Sequence, residues 1–337
     1  MRKILFIWLA AACFPAAYAQ IPQTEISNGI IRAQVYLPDA VKGYYRGTRF
    51  DWSGVIGSLH YKGHNYYGPW FTKIQPEIHD FIFSGPEIIA GACSAAVGPV
   101  EEFSADEPLN FAAAKPGETF IKIGVGVLRK PDNRKYDNYR LYQILDSGNW
   151  IIDPKTDSVE FTQQIEDPSA GYSYRYTKIV RLVPGKPQMV IEHTLKNIGK
   201  RPIRTNVFDH NFLVLDKQPV GPDFTISVPF TIRTNEPPDP KLAAVEGKRI
   251  VYKSRLQGKD VVAVPIQGFG KTAADYSITI ENAKARAGMK ITGNRPLSDE
   301  ALWSIRSVVA MEPFVAISIE PGSEFTWAYT YSYYTLP

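Results

Sequence analysis

Near the C-terminus five aromatic residues occupy alternate positions: Phe325, Trp327, Tyr329, Tyr331 and Tyr333. Successive side chains of a strand point to opposite faces, so this spacing puts all five on one face. A helix would scatter them around its circumference. A strand with five large rings on one side needs a broad partner surface, which restricts the chain to architectures built on extensive sheets. Tyr172, Tyr174 and Tyr176 repeat the pattern earlier in the chain. Ile179 to Leu182, Met189 to Leu195 and Val207 to Leu215 also read as strands. Pro184-Gly185-Lys186-Pro187, Asn197-Ile198-Gly199-Lys200 and Pro219-Val220-Gly221-Pro222 read as turns between or after them. The 26 Pro and 25 Gly are spread along the whole chain, as many short strands require. The expected class is all-β, a large antiparallel sandwich or barrel. Asn235 to Pro240 holds three prolines in six residues and reads as a surface loop inside one domain. The one passable helix is a brief stretch around Pro240 to Glu246.

The first 19 residues read as a secretory signal. Arg2-Lys3 is the basic start, Ile4 to Phe14 the apolar stretch, and Ala17-Tyr18-Ala19 a cleavage site before Gln20. The apolar run is far short of the ~20 residues that span a bilayer. A lipoprotein reading at Cys13 ranks below simple secretion, because Leu9 stands one position too far from it. The expected mature protein is soluble and exported, periplasmic or extracellular, with no membrane attachment after cleavage. It keeps Cys93 alone, so no intrachain disulfide can form. The full chain of 337 residues carries 38 Lys+Arg and 34 Asp+Glu. Without Arg2 and Lys3 the balance is 36 against 34, a net charge of +2. That argues against a nucleic-acid partner, whose backbone calls for a strongly basic surface.

His193 shares parity with Met189, Ile191 and Leu195, which reads as a satisfied core histidine. His60 and His64 have the HxxxH spacing that joins two metal ligands on a helix. Here the spacing spans a strand and a hairpin turn at Tyr61-Lys62-Gly63, which argues against zinc. Asn206, Phe208, His210 and Phe212 share one strand face. Two polar groups and two rings on one face suit a sugar site; a half-buried polar strand is the alternative. Glu312 sits in the apolar run Val308-Val309-Ala310-Met311-Glu312-Pro313-Phe314. It either faces solvent or is buried with its pKa raised toward that of a general base. Gly43 to Gly54 gathers Arg46, Arg49, Asp51 and four aromatics, Trp52 among them. Such a loop can bind a glycan carboxylate and stack a ring, or it can be a structural Arg–Asp knot. Gly98-Pro99-Val100-Glu101-Glu102-Phe103 reads as a turn with exposed acids, with a weaker acidic site as the alternative. Nucleophile elbows, phosphate loops and dinucleotide fingerprints are missing.

Three stretches carry a resemblance to the galactose mutarotase-like superfamily, the fold of aldose 1-epimerases. Ile179-Val180-Arg181-Leu182 through Leu195-Lys196-Asn197-Ile198-Gly199 resembles its paired strands ending in an N-x-G turn. Asn206-Val207-Phe208-Asp209-His210-Asn211-Phe212-Leu213 resembles the segment with the catalytic acid, which implies that role for His210. Met311-Glu312-Pro313-Phe314, followed by Ile319 to Glu324 and aromatic strands, resembles the base segment and implies that role for Glu312. The order holds from Ile26 to Tyr334. The resemblance implies a one-domain β-supersandwich at residues 20–337 that interconverts sugar anomers without metal or organic cofactor. The expected partner is a mono- or oligosaccharide, with Arg46, Arg49, Trp52, His79 and Asn206 as substrate contacts. His79 is the one histidine between Trp70 and Phe103, where the resemblance places a further one. The alternatives are a polysaccharide lyase using Arg46 or Arg49 on a uronate, and a carbohydrate-binding protein without chemistry.

Overall fold

The computed structural model describes residues 21–337. The expected signal segment, Cys13 and the expected cleavage point before Gln20 lie outside the described residues. Among the described residues there is no α-helix, only 3₁₀ turns at Leu215–Lys217 and Ala273–Asp275. The frame is two antiparallel sheets. The larger has ten strands, in spatial order Asn149–Pro154, Ser158–Asp167, Tyr172–Leu182, Gln188–Asn197, Glu324–Thr335, Ala287–Gly293, Ser277–Asn282, Phe224–Ser227, Arg249–Tyr252 and Ala243–Glu246. The smaller has five, in the order Val261–Pro265, Asp299–Ile305, Val308–Ile319, Ile203–Phe212 and Gly98–Phe103.

Alternation decides which residues meet between the sheets. Trp327, Tyr329, Tyr331 and Tyr333 are buried, and Phe325 packs at the edge of the same core. Tyr174 and Tyr176 are buried beside them. From the smaller sheet, Phe103 meets Tyr176 and Trp327 edge-on at 5.3 and 5.9 Å. The Tyr331 hydroxyl shares its one proton between Asn211 Oδ1, at 2.8 Å, and the Asp209 carboxylate. The N-x-G turn is explained by crowding. Gly199 N–H bonds Asn197 Oδ1, and a Cβ on Gly199 would stand 2.5 Å from the Ser173 nitrogen.

Two expectations fail. Residues 243–246 form an edge strand paired with Arg249–Tyr252, not a helix. The N–H groups of Leu242 and Ala243 both bond Asp239 O, so a single turn forms before Gly247, at φ 64°, closes a hairpin. Residues 98–103 are a fully buried strand, not a turn with exposed acids. Gly98 supplies the turn-like signal: its φ is 68° and a Cβ there would meet Ile56 O at 2.5 Å. The strand then sends Glu101 and Glu102 to opposite faces, each to its own buried basic partners.

Glu101 enters the space between the sheets. Lys178 Nζ donates to its Oε2, and His193 Nε2 lies 2.7 Å from its Oε1. Lys178 also donates to Ser53 O at 2.8 Å and stands 3.5 Å from Asp51 Oδ2. His193 is a core residue as its parity suggested, stacked on Trp327 at 4.5 Å, although its Nδ1 has no partner. The His60/His64 pair does span a hairpin, and His64 Nδ1 turns to Asp216 Oδ2 at 2.7 Å.

Candidate active site

The outer face of the smaller sheet carries a second apolar cluster that includes Phe50, Trp70, Val100, Phe212 and Ala310. A cavity of about 350 Å³ opens against this face. Its floor comes from strand register. Phe208 pairs with Phe314 and Asn206 with Ala316, and the bridge Leu213↔Val309 keeps the same offset beyond the ladder. That offset places His210 opposite Glu312. Their side chains stand side by side, with His210 Nε2 3.2 Å from Glu312 Oε1. His210 is 5% and Glu312 17% exposed, so both belong to the cavity wall rather than to open solvent.

Burial sets their charge states. It pushes the Glu312 carboxyl up to about 7, with the Arg49 guanidinium pulling partly the other way. Burial, aided by Arg49, holds the His210 imidazole well below its ordinary range. His210 stacks on Phe212 at 3.7 Å and meets Phe50 and Trp303 edge-on, while its buried Nδ1 has no partner.

Arg49 reaches the cavity from the loop after Gly43. Its Nε donates to Glu102 Oε2 at 2.6 Å, and its guanidinium lies over the rings of Phe50 and Tyr139. Burial disfavours its charge, but Glu102 outweighs this and keeps it protonated. The other oxygen of Glu102 receives Lys122 Nζ at 3.3 Å. Asp80 adds a carboxylate to the wall. Its Oδ1 accepts from Ser94 Oγ at 2.7 Å, and its backbone holds φ 58°. Trp70, Tyr139 and Trp303 supply aromatic walls, and Glu236 comes from the Pro-rich loop. This combination offers ring faces to C–H groups and fixed polar atoms to hydroxyls.

No protein-family model matches the sequence, and no curated protein matches it. Solved structures do match in shape. A galactose mutarotase-like protein from Lactobacillus casei superposes with a TM-score of 0.52 at 14% identity, covering 93% of this chain and 100% of that one. An aldose epimerase homologue from C. elegans gives 0.53 at 12% identity, over 94% and 100%. A Synechocystis protein gives 0.54 at 11% identity, over 99% and 100%. This chain has the galactose mutarotase-like fold.

Within the galactose mutarotase-like frame, His210, Glu312 and Arg49 come together, and the other named residues do not line the cavity. Arg46 is exposed and donates to Val41 O at 2.6 Å. Trp52 is a core residue whose Nε1 donates to Gly47 O at 2.8 Å. His79 pairs with Asp137 at 2.9 Å and packs against Tyr139 of the cavity wall, 5.2 Å ring to ring. Asn206 lies further along the strand of His210, half-buried, with its Oδ1 unpartnered. The Arg–Asp knot is replaced by two separate pairings: Arg49 with Glu102, and Asp51 with Ser53, Tyr176 and Lys178. Sequence reasoning missed Trp70, Asp80, Ser94, Tyr139 and Trp303. Asp80 follows His79 in a stretch without a strand pattern, so nothing local marked it.

Proposed function

We propose that this protein interconverts the anomers of an aldose by general acid–base catalysis, with His210 as acid and Glu312 as base. The observation that carries this reading is the His210–Glu312 juxtaposition at 3.2 Å on a cavity wall. Ionised Glu312 takes the proton of the anomeric hydroxyl while protonated His210 gives one to the ring oxygen. The C1–O5 bond breaks and the C1=O1 bond forms. After rotation about C1–C2, His210 takes back the O5 proton, Glu312 returns its proton to O1, and the ring closes on the other face. Arg49, Asp80 and the aromatic walls position the sugar. Charge favours this over uronate elimination: Glu102 meets the Arg49 charge, and Asp80, Glu236 and Glu312 surround the cavity, so a uronate finds no unopposed cation.

The mechanism needs one proton on the pair, on the histidine. The singly protonated pair exists with its proton on Glu312 or on His210 in a ratio that does not depend on pH, so the reactive form is a fixed fraction of it. That pair loses its proton above about pH 7, the value set by Glu312. The expected kcat/KM is therefore highest below about pH 7 and falls above it, by about tenfold per unit once the single proton is lost. Polarimetry of freshly dissolved aldoses across pH measures this. Activity rising through that range would show that ionised Glu312 alone suffices.

Residues 1–19 are proposed as an export signal. The mass of the protein recovered from the periplasm of a Gram-negative host should correspond to an N-terminus at Gln20. A lipid on Cys13 would contradict the soluble assignment.

A further inference from the structure

Behind Trp70 lies a second depression, an open cleft of about 750 Å³. Segments far apart in sequence build it, including Pro69–Thr72, the turn near Pro86, the 3₁₀ turn ending at Lys217, and the stretch around Arg255. Hydrogen bonds fix these walls to one another. Leu256 N–H bonds Val220 O at 2.9 Å, and Val220 N–H bonds Arg306 O at 3.1 Å. Arg306 ties two loops together, donating to Gly258 O at 2.5 Å, Pro86 O at 2.7 Å and Glu87 O at 3.0 Å.

The charge of this cleft is one-sided. Lys217, Arg255 and Arg306 line it and no carboxylate does. Among the described residues none of the three is in an ion pair. The adjacent acids are committed elsewhere. Asp216 receives His64 and the Asn65 N–H, Glu87 pairs with Lys73 at 2.6 Å, and Asp260 accepts the Gln257 N–H. Lys217 holds a left-handed backbone at φ 54°, directly after Asp216 at 49°. Trp70 and Phe71, only 3% and 9% exposed, form the apolar back of the cleft. Trp70 is common to this cleft and the candidate active site, and it stacks on Phe212, which stacks on His210.

We propose that this cleft is a second saccharide site, selective for a sugar residue bearing an oxyanion. Lys217 and Arg255 supply charge-assisted hydrogen bonds, and Arg306 adds a positive charge that no carboxylate opposes. The apolar back, with Pro69, Pro86 and Pro219 on the rim, borders the ring's C–H groups. The cavity at His210 has the opposite bias, with three carboxylates, so the two sites divide ligands by charge. The saccharide nature of the ligand rests on the reading proposed for the cavity; the selection for an oxyanion rests on the cleft alone.

The test is calorimetric titration of the full mature chain with a trigalacturonate, a sulfated trisaccharide, glucose 6-phosphate and neutral maltotriose. At least one anionic ligand should bind, more weakly as salt rises. The double variant Lys217→Glu, Arg255→Glu should weaken that binding about tenfold or more, the factor expected when a charge-assisted hydrogen bond is lost. The three anionic arms identify carboxylate, sulfate or phosphate as the favoured group. His210→Asn should leave this binding unchanged, which separates the cleft from the cavity. The proposal is overturned if no anionic ligand binds, if binding ignores the charge reversal, or if it vanishes with His210→Asn. Absence of anomer interconversion in the wild-type chain, with anion binding intact, would count against the proposed activity and leave the oxyanion selectivity of the cleft standing.

Discussion

Replacing Lys178 with methionine should lower the free energy of unfolding by about 3–5 kcal/mol, the usual cost of removing one partner from a buried ion pair. Lys178, Glu101 and Asp51 have no exposed side-chain surface. Their mutual attraction offsets a large desolvation cost only while all partners are present. Without the ammonium, Glu101 keeps only His193, and Asp51 keeps Ser53 and Tyr176. Burial alone would raise the Glu101 carboxyl, but Lys178 and His193 outweigh it and hold it near 2, against an ordinary 4.5. A depressed folded value means this contribution is complete above pH 4.5 and is lost as pH falls toward 2. The gap between wild type and Lys178→Met should therefore narrow across that window. Denaturant titrations at neutral and acidic pH measure it. Adding Glu101→Gln to Lys178→Met should recover part of the loss, since the two residues interact directly. A loss below about 1 kcal/mol, typical of exposed pairs, would contradict this account of the inter-sheet core.

The sheets were legible because alternation is a local signal. The rings from Phe325 to Tyr333 and the parity of His193 both assigned faces that the structure has. His210 and Phe212 could be placed on one face for the same reason. Strand pairing is not local, so the sequence could not show that Glu312 stands beside His210. Their ladder follows from a register linking residues about a hundred positions apart. The Glu101-Glu102 pair misled for a related cause. A Gly-Pro start and two adjacent acids look like a turn, and the counter-charges that bury them come from far away. Lys178 is 77 residues from Glu101, and Arg49 is 53 from Glu102. Arg46, Trp52 and Arg49 were indistinguishable in one dense loop, and only the partner on the opposing strand selected Arg49. Asp80 and Ser94 lie in irregular chain, where no periodicity marks a face.

In the proposed mechanism His210 and Glu312 act as one acid–base unit on a sugar. His210→Asn and Glu312→Gln keep side-chain size and remove the proton chemistry. Each should lower the rate of anomer interconversion about a hundredfold to ten-thousandfold. The double variant should lose far less than the product of the two, because each group is idle without the other. The direct measurement is polarimetry of a fresh aldose panel with wild type and the three variants, each checked by circular dichroism for an unchanged β-sheet signal. The wild-type rate should exceed the spontaneous one, and all three variants should show near-equal losses. A folded Glu312→Gln variant with wild-type activity would contradict it.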